Sequence, residues 1–165
     1  MFRKFLLPDL YKETVSDIDY KKLYEKGIRL IIFDIDNTLK TYGEKVPSNE
    51  IKELFNRIKA ENIKLCLVSN GRKSRVDKFN EDIKLDAFHL SLKPIPFNVI
   101  RMIKKQGFKR KETVLIGDQI FTDVLAGKFS FIKTILVKPI EPKKTKSEKI
   151  KRKLEKSILK LYNKD

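Results

Sequence analysis

The feature that most constrains this chain is a repeated switch in hydrophobic period. Leu30-Ile31-Ile32-Phe33 is a continuous apolar run of strand length, as a strand covered on both faces requires. Ile51, Leu54, Phe55 and Ile58 then recur at i, i+3, i+4 and i+7, which places them on one helical face behind Ser48, a good N-cap. The pair repeats down the chain. Strand-like runs recur at 64–68, 113–116 and 131–137, with a weaker one at 87–90. Helical patterns lie at 72–80, at 96–105 with Val99, Ile100 and Ile103 inward and Gly107 as the stop, and at 120–128 with Val124 and Leu125 inward. Such alternation predicts an α/β fold: a five-stranded, mainly parallel sheet with helices on both faces. Residues 1–26 precede the first strand and hold a short helix near 20–25. Pro139 and Pro142 introduce a lysine-dense tail, so the expected organisation is one domain over 1–140 and a basic, helix-compatible tail over 141–165.

Ligands of an open parallel sheet bind beyond the carboxyl ends of its strands. Each predicted strand here delivers a polar group to that edge. Asp34 and Asp36 follow the first, Ser69 and Asn70 the second, Lys93-Pro94 the third, and Gly117-Asp118 then Asp123 the fourth. Carboxylates brought this close repel unless a cation joins them, and hard oxygen ligands suit Mg²⁺. Asp34 is then placed to attack phosphorus while the metal and Lys93 cancel charge between two anions. Ser69 offers a hydrogen bond to a phosphoryl oxygen. Asp36 is placed to protonate a leaving alkoxide and afterwards to deprotonate the hydrolytic water. Asp118 is the best remaining metal ligand, with Asp123 in support or acting through water.

Asp34-x-Asp36-x-Thr38, Val68-Ser69-Asn70, Lys93-Pro94 and Gly117-Asp118 followed by Asp123 resemble, in order and spacing, the four motifs of the haloacid dehalogenase (HAD) superfamily. The resemblance implies a Rossmann-like fold and a phosphatase with an aspartyl-phosphate intermediate. It makes Asp34 the nucleophile, Asp36 the acid/base, and Ser69, Asn70 and Lys93 the phosphate-binding set. Mg²⁺ would rest on Asp34, Asp118 and the Asp36 main-chain carbonyl, with Thr38, Gly117 and Asp123 in support. The second aspartate, Asp36, is similar to the phosphatase and phosphotransferase branch. A Leu-Pro-Asp opening, Gly27-Ile28, the segment 116–124 and Thr134 to Val137 before a proline look like the YqeG family of class IIIA HAD phosphatases. That family resembles the mitochondrial-type phosphatidylglycerophosphate phosphatases, which implies that lipid head group as substrate. The chain departs from the family in lacking a tryptophan at 40–43 and in carrying Gly71 where a second asparagine is common.

Spacing bears on the substrate. About 30 residues separate Thr38 from Ser69, and about 23 separate Ser69 from Lys93. One helix fills each interval, so no cap domain fits, and an open site suits a phosphate with bulk of its own: a lipid head group, a protein or a nucleic acid. The net charge of +16 favours polyanionic partners, although Lys-rich usage with only eight arginines also arises from base composition. The single Cys66 excludes an intrachain disulfide and reads as a core residue. No apolar stretch approaches the ~20 residues that span a bilayer, so a cytoplasmic protein is expected, peripheral to the membrane at most. Ile150, Leu154, Ile158 and Leu161 recur at helical spacing among lysines. That tail suits an anionic membrane surface, with Phe2, Phe5, Leu6 and Leu7 as a second apolar contact, and equally suits packing on the domain. The alternatives are the same phosphatase chemistry on a nucleic-acid or protein phosphate, or an RNA-associated binding protein with vestigial activity, and the oligomeric state is open.

Overall fold

Buried apolar strands in the middle of the chain organise everything else. The computed structural model describes residues 5–141 and 146–162. The strands are β1 (Leu10–Lys12), β2 (Leu30–Phe33), β3 (Lys64–Val68), β4 (Asp86–Phe88), β5 (Thr113–Gly117) and β6 (Lys133–Val137). They form one sheet in the order β1-β6-β5-β2-β3-β4, and every pairing is parallel. The helices are α1 (Tyr20–Glu25), α2 (Asn49–Ala60), α3 (Lys73–Asn80), α4 (Phe97–Gln106), α5 (Leu125–Phe129) and α6 (Lys146–Tyr162).

All four residues of β2 are buried because both sheet faces are covered. Ile31 and Phe33 join Leu65, Leu67, Val114 and Ile116 on one face, under Ile51, Leu54, Phe55 and Ile58 of α2. Leu30 and Ile32 join Cys66, Val68 and Leu115 on the other, against Val99, Met102 and Ile103 of α4. Ser48 caps α2 by accepting from Ile51 N, and Gly107 closes α4 in the left-handed conformation at φ 74°.

The sheet has six strands, not five. The extra strand, β1, is three half-buried residues at the edge beside β6, and Leu-Tyr-Lys carries no apolar run to announce it. Its register is held by Asp9, whose Oδ2 accepts from Thr134 N at 2.8 Å and Thr134 Oγ1 at 2.9 Å. Two inward assignments also shift. Met102 rather than Ile100 faces the core from α4, and Ala126 rather than Leu125 does so from the next helix. In the second case Ile120–Val124 forms a wider π-helical turn, which rotates the following residues relative to a regular helix.

β2 is the switch point: the chain runs outward through β3 and β4 on one side and returns to β5 and β6 on the other. The carboxyl ends of β2 and β5 therefore flank a crevice. Among the described residues no separate cap domain stands over it, since the connections β2–β3 and β3–β4 each contain one helix. Replacing Asp9 by Ala should cost about 1–3 kcal/mol. Denaturant unfolding would measure the loss, and amide exchange should report earlier opening of Leu10–Lys12 than of β2.

Candidate active site

Three carboxylates and one ammonium meet at that crevice. Asp34 follows β2, Asp118 follows β5, and Asp123 reaches back from the π-helical turn. One oxygen from each of these carboxylates lies within 4.8 Å of the others, and all three residues are buried. Lys93 enters from the β4–α4 connection. Its Nζ lies 2.7 Å from Asp34 Oδ1 and 2.7 Å from Asp123 Oδ1, and donates to Val68 O at 2.8 Å. Thr38 Oγ1 sits between the other oxygens, 3.2 Å from Asp34 Oδ2 and 3.3 Å from Asp118 Oδ1.

The supporting residues have definite tasks. Gly117 stands where any Cβ would come within 2.3 to 2.5 Å of the Asp123 side chain, so the absence of a side chain lets that carboxylate fold onto the end of β5. Asp123 Oδ2 is then held by Gln119 N at 3.1 Å. Ser69 Oγ accepts from Gly71 N at 2.9 Å, which leaves its hydroxyl hydrogen to donate. Asn70 spends both ends of its amide on Lys93: its Oδ1 accepts from Lys93 N at 2.8 Å and its Nδ2 donates to Lys93 O at 3.1 Å. The position expected to touch phosphate thus fixes the backbone of the lysine.

Asp36 sits apart from the metal-competent group. Lys40 Nζ and Arg75 Nη2 both reach its Oδ1 at 2.6 Å. Asp34 and Asp36 line the same cleft of about 550 Å³, together with Tyr42, Ser69, Arg72 and Lys151. Two carboxylates two residues apart therefore occupy different settings, one buried against Lys93 and one at the rim among cations.

The C-terminal helix supplies residues that no motif indicates. Arg152 pairs through Nη2 with Asp118 Oδ2, and its Nη1 lies 2.5 Å from Asp118 O and 2.8 Å from Glu155 Oε2. Glu155, buried, accepts from Ile120 N at 2.8 Å and so satisfies an amide at the start of the π-helical turn. Ile158 and Leu159 pack on Ile120, Val124 and Leu136. The helix docks through residues 152, 155, 158 and 159, while Ile150 and Leu154 of the anticipated apolar stripe stay exposed. Phe2 and the Leu161 side chain lie outside the described residues. What could have pointed to this docking is an Arg and a Glu three apart within an otherwise lysine-dominated helix.

Burial dominates the electrostatics. It pushes the Asp34 carboxyl up to about 6, against the pull of Lys93 and with the further push of Asp123. It pushes Asp118 up to about 7, reinforced by Asp123 and Asp34 and opposed by Arg152. Burial would lower Lys93, but the Asp123 and Asp34 carboxylates outweigh it and hold the ammonium charged. Three crowded carboxylates against Lys93 and Arg152 leave a negative excess of hard oxygen donors, which fits a divalent cation bound by few protein ligands.

These shifts have a sign. A carboxyl raised in the folded state binds more protons there than in the unfolded chain, so it stabilises below its ordinary range and loses that contribution as pH rises through 6 to 7. The melting temperature of metal-free protein should therefore fall between about pH 5 and about pH 8, and Mg²⁺ should restore it at the upper end. Gly117→Ala, by displacing Asp123, should lower metal affinity or turnover about 10–100-fold with the circular dichroism spectrum unchanged.

Known proteins resemble this chain in sequence and in fold. The family described as haloacid dehalogenase-like hydrolase matches residues 40–137. The probable phosphatase YqeG of Bacillus subtilis is 33% identical over 159 residues, 96% of this chain and 92% of that protein. The chloroplastic/mitochondrial phosphatidylglycerophosphate phosphatase 1 of Arabidopsis thaliana is 25% identical over 150 residues, and this chain spans only 42% of its length. In fold, the chain is similar to the cobalt-bound deoxy-D-mannose-octulosonate 8-phosphate phosphatase of Haemophilus influenzae, with TM-score 0.54 and 15% identity over 84% of this chain and 90% of that one. It is likewise similar to a β-phosphoglucomutase-like protein of Thermotoga maritima, with TM-score 0.56 and 13% identity over 83% and 99%. The chain belongs to the haloacid dehalogenase-like hydrolases, as a phosphatase of that family.

Proposed function

We propose that the chain is a Mg²⁺-dependent phosphomonoesterase that works through a phosphoaspartate on Asp34, and that its substrate is phosphatidylglycerophosphate at the cytoplasmic face of a membrane. The observation that carries the chemistry is the setting of Asp34 in the cleft, with Oδ1 beside Lys93 at 2.7 Å and Oδ2 beside Thr38 at 3.2 Å. Asp34 attacks phosphorus as the bond to the leaving oxygen breaks, and Asp36 gives that oxygen a proton. Asp36 then takes a proton from the water that cleaves the phosphoaspartate and frees inorganic phosphate. Lys93 and the Ser69 hydroxyl steady the phosphoryl oxygens, and Asn70 holds Lys93 in line. Asp34 and Asp118 would hold the metal, with the Asp36 main-chain carbonyl as a further ligand and Asp123 beside them. Mg²⁺ when bound would supply a hard Lewis acid that offsets the charge of the phosphate.

The lipid substrate is supported by the Arabidopsis relative's activity and by a cleft without a cap domain, which leaves room for a head group that stays attached to its bilayer. The charge of +16 favours one rival: the same chemistry on a nucleic-acid end or a protein phosphate. No helix among the described residues is long and apolar enough to cross a membrane.

Asp34→Asn should cut phosphate release by more than about 10³-fold while the fold persists; an active Asn variant would remove the mechanism. Chelation with EDTA should silence the wild type and Mg²⁺ should revive it. Phosphate release from phosphatidylglycerophosphate in vesicles should exceed that from 5′-phosphorylated RNA and from an aryl phosphate, and release favouring RNA would reject the lipid reading.

A further inference from the structure

The β4–α4 connection does two things with alternate residues. Ser91 and Lys93 turn inward and are 2% and 5% exposed, whereas Leu90, Leu92, Ile95 and Phe97 turn outward and are 52%, 66%, 55% and 66% exposed. The inward demand is plain, since Lys93 must reach Asp34. It explains why positions 90 and 92 point out, but not why they are leucine. Both have positive φ, 44° and 54°, a conformation that a glycine or asparagine adopts at less cost. Large apolar side chains are therefore held in water by a backbone that disfavours them, beside the cleft.

The presentation is rigid. Leu90 N donates to Gly71 O at 2.9 Å, Ser91 N to Ser69 O at 3.0 Å, and Ile95 N to Leu92 O at 3.0 Å. The Asn70 amide clamps Lys93 on both sides. The loop is thus fastened to 69–71, the segment that carries Ser69. Arg72 and Lys151 line the cleft, and exposed Arg101 lies one helical turn beyond Phe97 on α4. From Asp86 to Glu112 the chain holds no carboxylate between those two ends. An exposed apolar loop in a stretch of chain without carboxylates, beside a cleft that carries Arg72 and Lys151, suits the interface of an anionic bilayer.

We infer that Leu90, Leu92, Ile95 and Phe97 form a membrane-docking surface that inserts into an anionic lipid interface and sets the cleft over a phosphate held at that surface. This rests on the reading of the site as a phosphatase of a lipid-borne phosphate. It assigns docking to the β4–α4 loop rather than to the C-terminal helix, whose inward side is already used on Asp118 and Ile120.

The test uses the full chain with vesicles of phosphatidylcholine, with and without phosphatidylglycerol. Wild type should co-sediment with the anionic vesicles, and a Leu92→Ser/Phe97→Ser variant should partition at least about tenfold less. Neither residue touches the reacting groups, so the variant should hydrolyse p-nitrophenyl phosphate within about twofold of wild type. Wild type that ignores the vesicles, a variant that binds as well as wild type, or a wild-type dimer that the variant dissolves would each overturn the proposal; the last would assign the patch to a second copy of the chain. The two readings fail separately. A wrong docking surface leaves aryl phosphate turnover intact, whereas a wrong catalytic reading abolishes turnover in wild type and leaves vesicle binding intact. Asp34→Asn should bind vesicles as wild type does.

Discussion

The Lys93 ammonium is buried, and a buried charge persists only with partners. It finds them on three separate stretches of chain: the Asp34 carboxylate after β2, the Asp123 carboxylate on the π-helical turn, and the Val68 carbonyl at the end of β3. Each contact ties one strand end to another, so the lysine fastens the crevice as well as furnishing it. The arrangement in turn depends on Asn70, which grips the lysine's backbone, and on Gly117, whose missing side chain is the space Asp123 occupies. Removing either carboxylate would leave the buried Lys93 ammonium short of a counter-charge.

Against that centre, the differing settings of Asp34 and Asp36 follow from depth. Asp34 is buried where desolvation lifts its carboxyl, while Asp36 stands nearer solvent between Lys40 and Arg75. Arg152 adds a cation from the far end of the chain and lowers the cost of burying Asp118. The inner cluster still carries more carboxylates than cations, a balance that a divalent ion would correct. Function and stability here draw on the same few interactions, which is why pH and metal should act on both.

Much of the fold was legible because its signals are local and strong. Leu30–Phe33 and Thr113–Gly117 are buried on both faces, and only such strands show unbroken apolar runs. β1 was not legible, because an edge strand of three half-buried residues has no pattern of its own and exists through Asp9 and Thr134, more than a hundred residues apart. Met102 displaced Ile100 and Ala126 displaced Leu125 for a related reason: a few degrees of helix rotation decide which neighbour faces the sheet, and a π-helical turn changes that rotation. Arg152 and Glu155 were hidden among lysines, since a polar anchor is recognisable only beside the group it anchors.

The sequence by itself determined the central alternation of strand and helix, and with it the delivery of Asp34, Ser69, Lys93 and Asp118 to one edge, because strand period and parallel topology place whatever follows a buried strand at its carboxyl end. Only the tertiary structure decided how those groups divide the work of holding one another. It turned Asn70 from a motif residue into the clamp on Lys93, brought Arg152 onto Asp118, and turned Leu90 and Leu92 outward while Lys93 turned in. Such relations join residues far apart in sequence through burial and charge, and neither burial nor a partner's charge exists until the chain has folded around them.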